Sequence, residues 1–229
     1  MKKIAIIPAR RGSKRIPNKN IKLFYGKPII AYSIESACKS GLYDEVMVST
    51  DCETISNIAK KYGAKVPFIR SAKNSDDFAT TSDVLLEVLN YYKKREIIFD
   101  YATCIYACSP FVSVKLLVDS MDIIMAKKCD CVFPVLAYNH PIQRALSLIE
   151  NSYVVPFDDS KSNVRTQDLN KAYHDAGMYY TIDIKKFFVN KNLRTKNTIG
   201  IEIDELKAHD IDSENDWILA EMKYKLFFK

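Results

Sequence analysis

Long apolar runs are missing from this chain, and their absence argues against a membrane-spanning segment and a signal peptide. No stretch of its 229 residues approaches the roughly 18 apolar residues that a membrane span requires. The segment Met1–Lys3 resembles the start of a signal peptide, but the apolar run behind it, Ile4–Pro8, is too short for a signal-peptide core. We therefore expect a cytoplasmic protein with no membrane partner.

Cysteine patterns typical of metal sites and disulfide frameworks are also missing. The chain has six cysteines, but none form a C-x-x-C motif and no histidine lies nearby at the spacing of a zinc ligand. Most of them lie in apolar stretches, where a reduced cysteine is simply a small core residue. We predict neither zinc nor disulfides at the six positions, which are Cys38, Cys52, Cys104, Cys108, Cys129 and Cys131.

Two common nucleotide-binding motifs are absent as well. A P-loop has the form G-x-x-x-x-G-K-[ST], but here Gly26-Lys27 is followed by Pro28, and Ile21 stands where the earlier glycine belongs. The dinucleotide fingerprint G-x-G-x-x-G does not occur either. These absences exclude a Walker-type NTPase and a typical Rossmann dehydrogenase.

Acidic residues are missing from the first 34 positions, which carry nine of the 34 lysines and arginines. The net charge is +6, and the rest of the chain has 25 basic against 28 acidic residues. Basic charge concentrated in one segment favours a compact anionic ligand, because nucleic-acid binders usually spread it along a face or a tail. A solvated basic edge is the alternative for charge alone, and we expect no nucleic-acid partner.

The apolar periodicity alternates between strands and helices and predicts an α/β fold. Such alternation implies a mostly parallel sheet with helices on both faces, within a single domain over residues 1–229. The predicted strands are Ile4–Ala9, Glu45–Ser49, Tyr101–Ala107, Asp130–Val135, Gly177–Ile182 and Ile199–Ile203. The predicted helices are Pro28–Ser40, a helix capped by Asp51 that runs to Tyr62, Thr81–Lys94, Ser113–Lys128, and Trp217–Phe228 started by Ser213 with Asp216 at N3.

One polar segment breaks this alternation. From Leu136 to Lys171 the chain is polar, with weak strand patterns only at Ala145–Ile149 and Tyr153–Val155. We interpret residues 136–171 as an excursion from the sheet that serves as a dimerisation arm or a lid.

The basic loop Ala9–Asn20 follows directly after the first buried strand. Ligands of open α/β sheets bind beyond the carboxyl ends of the strands, which is where this loop lies. Gly12 permits a tight turn, and Ser13 and neighbouring N–H groups can bond phosphate oxygens. The positive charges that would neutralise a phosphate are Arg10, Lys14 and Lys19.

These residues, together with several later motifs, resemble the CMP-sialic acid synthetases (acylneuraminate cytidylyltransferases), which activate nine-carbon 2-keto sugar acids with CTP. The resemblance covers essentially the whole chain. It implies a Rossmann-like fold of the nucleotide-diphospho-sugar transferase type. The motifs are I-I-P-A-R-R-G-S-K-R-I-P-N-K-N, G-K-P-I-I-A-Y-S-I, V-S-T-D at 48–51, F-I-R-S at 68–71, D-D-F-A-T-T at 76–81, S-P-F at 109–111 and D-I-D at 210–212.

Within that family, two motifs resemble the pseudaminic acid cytidylyltransferase branch. They are P-I-Q-R-A-L at 141–146 and A-Y-H-D-A-G at 172–177. Ala107 and Cys108 depart from the patterns of both this branch and the N-acetylneuraminate branch, and Arg11 is unusual for the family.

The resemblance implies a role for each matching residue. Arg10, Lys14 and Lys19 are expected at the phosphates of CTP. Lys19, Arg10 and Asp212 are expected to carry catalysis. Ribose and cytosine are assigned to Asn20, Arg70 and the segment 79–81 with Thr81. Ser13 is expected to be a further phosphate contact. The sugar pocket is expected at Tyr106, Gln143, Arg165, His174, Asp175 and Tyr180, with Arg165 binding the sugar carboxylate. The alternative is that Tyr106 and Tyr180 are core aromatic residues and that His174 is a buried, hydrogen-bonded histidine. In relatives the excursion reaches the site of the partner subunit, so the resemblance also implies a homodimer.

Two carboxylates near the end of the chain have two interpretations. Alternation along an extended segment puts Asp210 and Asp212 on one face, where they can hold Mg²⁺ with water and substrate phosphates. They also precede the last helix, where acids complement the helix dipole. The residues alone favour neither interpretation, whereas the resemblance favours Mg²⁺ as cofactor.

The leading prediction is a CTP-dependent cytidylyltransferase for pseudaminic acid that releases pyrophosphate. The same reaction on N-acetylneuraminate, legionaminate or Kdo is a close alternative. A non-catalytic nucleotide-binding regulator is an alternative of another class, which the intact pair of aspartates opposes.

Overall fold

The computed structural model describes residues 1–161 and 164–228. Ser162 and Asn163 of the predicted excursion, and Lys229, lie outside this part of the chain. Its strands are β1 (Lys3–Pro8), β2 (Leu23–Phe24), β3 (Lys27–Pro28), β4 (Glu45–Ser49), β5 (Tyr101–Ile105), β6 (Cys131–Ala137), β7 (Leu146–Leu148), β8 (Val154–Pro156), β9 (Tyr173–Asp175), β10 (Tyr179–Asp183) and β11 (Thr198–Glu202).

The α-helices of the same residues are α1 (Ile30–Ser40), α2 (Glu53–Lys61), α3 (Thr81–Lys93), α4 (Val114–Lys127), α5 (Ile184–Asn190) and α6 (Glu214–Phe228). Within the described chain, none of them has both the length and the apolar character to cross a bilayer.

The main sheet has the strand order β11-β6-β10-β5-β1-β4, with β9 paired to β6. The strands β1, β4, β5, β6 and β11 run in one direction, and β9 and β10 run in the opposite direction. This arrangement confirms the predicted mostly parallel sheet. It also brings the start of β10 to the same edge as the carboxyl end of β5, where Tyr179 lies opposite Ile105.

Alternate side chains of β1 enter two separate cores. Ala5 and Ile7 pack in the core that includes helix α1 and Trp217 of α6. Ile4 and Ile6 point to the other face and pack in the core that contains Leu85 of α3. Because both faces of the strand are covered, its sequence is an unbroken apolar run rather than an alternating one. The helices on both faces are therefore confirmed.

Two predictions about helix starts are wrong. Pro28 lies in the short strand β3, and α1 begins only at Ile30. Asp51 does not cap α2. Its carboxylate accepts the backbone N–H of Arg11 at 2.9 Å, and Cys52 stands at the N-cap without a side-chain hydrogen bond. Asp51 thus bonds to the basic loop instead of capping the helix.

Helix starts at the site are fixed by reciprocal capping. Thr80 and Asp83 form a capping box at the start of α3. At α6 the Ser213 N–H donates to Asp216 Oδ2 at 2.7 Å and the Asp216 N–H donates back to Ser213 Oγ at 3.3 Å, which confirms the predicted start. Each box satisfies backbone donors that a helix leaves unpaired, so the segments just before these helices have defined directions.

The predicted excursion contains the hairpin β7–β8, which confirms its two weak strand patterns. Short strand β9 and helix α5 were not predicted. Strand β9 has only three residues, too few for a periodic pattern. Helix α5 is capped by Asp183, whose side chain accepts the N–H of Lys186, but it immediately follows β10 without a turn residue.

Candidate active site

The basic loop forms one wall of a cleft of about 420 Å³ beyond the carboxyl end of β1. The other wall comes from the start of α3, Arg70 and Tyr106. Residues as far apart in the sequence as Pro8 and Tyr106 therefore share one cavity. The predicted site residues that line it are Arg10, Ser13, Lys14, Lys19, Asn20, Arg70, Thr81 and Tyr106.

Hydrogen bonds across the loop hold its shape. The Ala9 N–H donates to Ser49 O at 2.9 Å, which continues the pairing of β1 with β4. Asn18 adopts the left-handed conformation before a 3₁₀ turn over Lys19–Ile21. The side-chain amide of Asn20 donates to Arg10 O at 2.8 Å and ties the end of the loop to its start. The loop is consequently a closed ring, with its cations held around the cleft.

Carboxylates balance the cations of this cleft. Arg15 and Lys19 approach Asp212 Oδ1 at 2.8 and 3.4 Å, and the Lys19 ammonium donates to Ile211 O at 2.6 Å. On the opposite side, Arg10 and Lys14 pair with Asp77. Both predicted phosphate-binding lysines are thus held by ion pairs before any ligand is present.

Arg70 is used differently from its neighbours. Its side chain is buried, and its Nε donates to Ser49 Oγ at 3.0 Å while Nη2 donates to Ser49 O. Burial lowers the pKa of the guanidinium, and the charge of Asp51 opposes this effect. The structure therefore places Arg70 at the cleft wall with much of its donor capacity already used by β4.

The two aspartates line a second cavity of about 280 Å³ that joins the first. The two cavities share Pro8, Lys19, Asn20 and Tyr106. Burial raises the pKa of Asp210, the charge of Asp212 raises it further, and Lys19 lowers it. Two carboxylates that repel each other beside a lysine are arranged to accept additional positive charge.

Gly177 makes room for Asp210. Its φ is +66°, and a Cβ built there would lie 2.8 Å from Cγ of Asp210 and 2.9 Å from its Oδ2. No side chain fits at such distances, so the carboxylate occupies the space that the glycine leaves. The motif A-Y-H-D-A-G thus contributes to the site because its glycine has no side chain at this position.

A third cavity, of about 570 Å³, opens on the other side of Asp210. His174 and Asp175 line it, and the His174 ring packs against Tyr138 with centroids 4.9 Å apart. Asp210 lines both this cavity and the one that contains Asp212. It therefore contributes to the walls of both the second and the third cavity.

Tyr180 lies behind these cavities rather than on their walls. It is buried with 7% of its surface exposed, packs edge-on against Tyr106, and donates its hydroxyl to Asp175 Oδ2. The hydroxyl of Tyr106 in turn lies 3.2 Å from Thr81 Oγ1. In this structure Tyr180 supports predicted site residues and lines none of the three cavities.

The structure does not bring Gln143 and Arg165 to the cleft. Arg165 Nε donates to Asp168 at 2.9 Å, and Gln143 Nε2 donates to Asn170 O at 3.0 Å. Both pairs are local to the excursion, and neither residue lines any of the three cavities. Within one copy of the chain these two predicted residues are separate from the rest of the site.

Several site residues were not predicted. Arg15 and Gly177 were inside quoted motifs and lacked a distinguishing spacing. Asp77 meets Arg10 across 67 positions, a contact that no local pattern records. Cys108 donates its thiol hydrogen to Asn20 Oδ1 at 3.2 Å, and its departure from the usual family residue was the only available signal.

The arrangement defines a class of protein. A mostly parallel α/β sheet with a cationic ring and a carboxylate pair in joined cavities is that of a nucleotidyltransferase. A family model described as cytidylyltransferase matches residues 4–219. The chain therefore belongs to the cytidylyltransferase family.

Individual relatives agree with this assignment. A pseudaminic acid cytidylyltransferase of Campylobacter jejuni subsp. jejuni serotype O:2 is 39% identical, with 99% of this chain and 97% of the relative covered. A CMP-N,N'-diacetyllegionaminic acid synthase of Legionella pneumophila is 31% identical with the same coverage. The solved structure of a CMP:2-keto-3-deoxy-manno-octonic acid synthetase complexed with CTP has a TM-score of 0.68 at 16% identity, with 99% of this chain and 98% of that one covered. This last similarity confirms the fold.

We predict that Cys108 is unreactive despite its place beside the basic cleft. Burial raises the pKa of its thiol to about 12, so the nucleophilic thiolate is scarce at pH 8. Iodoacetamide at pH 8 should leave Cys108 unmodified in the folded protein, as read by peptide mass spectrometry, while exposed Cys38 reacts. Labelling in urea shows that the Cys108 peptide is detectable. Modification of folded Cys108 as fast as Cys38 would contradict the prediction.

Proposed function

We propose that the protein transfers the cytidylyl group of CTP to pseudaminic acid and releases pyrophosphate. The observation that carries this proposal is the junction of the basic cleft with the Asp210–Asp212 cavity through Lys19 and Asn20. The resemblance of the full chain to pseudaminic acid cytidylyltransferases supports the choice of sugar.

The basic cleft holds CTP in this proposal. The triphosphate takes the place of the Asp77 carboxylate as the partner of Arg10 and Lys14. Ser13 donates a further hydrogen bond to it. Lys19 lies where the first two cavities meet, so its ammonium is placed to stabilise charge that develops at the α-phosphate. Thr81, Asn20 and Arg70 form the wall for ribose and cytosine.

The Asp210 and Asp212 carboxylates fit the requirements of Mg²⁺. Magnesium is usually bound by one or two carboxylates together with water and substrate phosphates, which is the donor set that this cavity offers. Because Gly177 has no side chain, the Asp210 carboxylate has room to occupy this position. When bound, the ion polarises the α-phosphate and neutralises the charge of the leaving pyrophosphate.

The third cavity holds the sugar acid. Because Asp210 lines this cavity and the one shared with Lys19, a sugar bound beside His174 and Asp175 has its anomeric hydroxyl next to the phosphate site. The oxygen of that hydroxyl forms the new bond to the α-phosphorus as the bond to the pyrophosphate oxygen breaks, and the hydroxyl proton passes to water. The chain contributes mainly by holding the two substrates in line.

The proposal includes assembly as a homodimer through the excursion. The hairpin β7–β8 exposes a set of large apolar side chains, and Gln143 and Arg165 line none of the three cavities described above. A second copy seated on this hairpin would cover the apolar set and give both residues a site to serve. The exposed side chains are Leu146, Leu148, Ile149, Tyr153, Val154 and Phe157. We also propose that residues 1–229 act as one catalytic domain in the cytoplasm, where CTP is available.

The reaction is tested by measuring pyrophosphate release from CTP with purified sugar acids. Pseudaminic acid should give the highest kcat/KM in a panel with N-acetylneuraminate, a legionaminate and Kdo. Preference for another acid would reassign the substrate and keep the reaction. Tight CTP binding without release on any acid would support the regulator instead. Parallel assays with ATP, GTP and UTP establish the base preference.

The role of Gly177 is tested by Gly177→Ala. The added methyl group displaces the Asp210 carboxylate, and a displacement of about 1 Å at a reacting centre costs about 100-fold in turnover. Direct titration of Mg²⁺ into the CTP complex should show weaker metal binding. Gly26→Ala is the matched control, because Gly26 also has a positive φ of 82° but nothing within 4 Å of its Cβ position. Equal losses in both variants would assign the effect to backbone strain.

The dimer is tested by Leu148→Glu and sedimentation velocity. A charge in the apolar set should convert the protein to a monomer, because burying an unpaired carboxylate is unfavourable. The same substitution at Val189, another highly exposed apolar residue on α5, serves as the control and should leave the sedimentation coefficient unchanged. A wild-type protein that is monomeric at assay concentration would overturn this part of the proposal.

A further inference from the structure

The turn after Asn74 presents a carboxylate to the basic loop. Asp76 Oδ1 accepts the backbone N–H groups of Phe78 and Ala79 at 2.9 and 2.8 Å, which fixes the turn from within. Asp77, the next residue, makes neither of these bonds and directs its carboxylate outward. The turn is therefore held by Asp76, which leaves the Asp77 carboxylate available for partners outside the turn.

That carboxylate engages two cations at once. Asp77 Oδ1 accepts from Arg10 Nη1 at 2.8 Å, and Asp77 Oδ2 pairs with the Lys14 ammonium. Arg10 Nη1 also donates to Asp76 O at 2.7 Å. Arg10 and Lys14 line the basic cleft, whereas Asp77 does not. Both head groups are thus bonded to the rim of the cleft that they would serve.

We propose that Asp77 sets the affinity of this site for a triphosphate by competing with it for Arg10 and Lys14. The inference rests on the proposed function in taking CTP as the ligand. Phosphate oxygens need the same donors that Asp77 occupies, so binding requires an exchange of partners. Exposed ion pairs of this kind are individually weak, and the greater charge of a triphosphate displaces them.

The competition operates across the physiological pH range. The bonds from Lys14 and Arg10 lower the pKa of Asp77, so its carboxylate is ionised at every pH above that lowered value. The carboxylate loses its charge only as the pH falls through this value.

The test is the dissociation constant for CTP measured by calorimetry without a sugar acid. Asp77→Asn should bind CTP about 3- to 10-fold more tightly than wild type at low salt, the range expected for losing two exposed ion pairs. The gain should shrink toward zero near 1 M NaCl, because salt screens exposed pairs. A residue that only supports the loop would not produce this convergence.

The matched control is Asp119→Asn. Asp119 also pairs with a lysine, Lys115, at 2.7 Å, and its side chain is 38% exposed against 41% for Asp77, but it lines none of the three cavities. Its CTP affinity should match wild type within twofold. In a Lys14→Met background, the gain from Asp77→Asn should fall, because one of the two competing pairs is already gone.

Unchanged or weaker CTP binding in both Asp77→Asn and Asp77→Ser would overturn the inference. Inorganic tripolyphosphate is titrated beside CTP, because Asp77 competes for phosphates whatever base they carry. A gain seen with tripolyphosphate, combined with no pyrophosphate release by wild type on any sugar acid, would reject the proposed function alone. Normal release by wild type with no gain in the variants would reject only the role of Asp77.

Discussion

The confinement of four cations at the carboxyl end of β1 is the constraint on which the site depends. The positive side chains repel one another within one short loop, and carboxylates from two distant segments of the chain neutralise them. The cations concerned are Arg10, Lys14, Arg15 and Lys19. Asp77 approaches from the turn before α3 and Asp212 from the segment before α6. Because both turns are held by capping boxes or internal bonds, the loop is fixed from both sides. The same pairs then decide how easily a polyanion enters.

The division of the site into joined cavities gives each carboxylate a different role. Asp212 pairs with Arg15 and Lys19, whereas Asp210 lines both the second cavity and the cavity beside His174. That position depends on Gly177, since any side chain there would meet the carboxylate. Gly177 lies in the turn between β9 and β10, the two strands that run opposite to the rest of the sheet. This reversed pair therefore brings to the edge the glycine that leaves room for the Asp210 carboxylate.

Much of the fold follows from local patterns. The unbroken apolar run of β1 and the amphipathic helices predicted a layered α/β sheet, and the Ser213–Asp216 pattern located the start of α6. The errors lie where tertiary contacts override local preference. Asp51 has the sequence position of a helix cap, but its carboxylate accepts a hydrogen bond from the backbone N–H of Arg11 instead. Strand β9 has three residues and exists because β6 extends beside it.

Short continuous stretches were enough to predict an anionic ligand, the family and the residues of the basic loop. Three contacts became visible only in the fold: Asp77 pairs with Arg10, Arg70 bonds to Ser49, and Tyr180 packs against Tyr106 behind the cavities. The fold also separated Gln143 and Arg165 from the cleft of their own chain. Such contacts join segments tens of residues apart, and they arise from the packing of whole elements, which no local sequence pattern encodes.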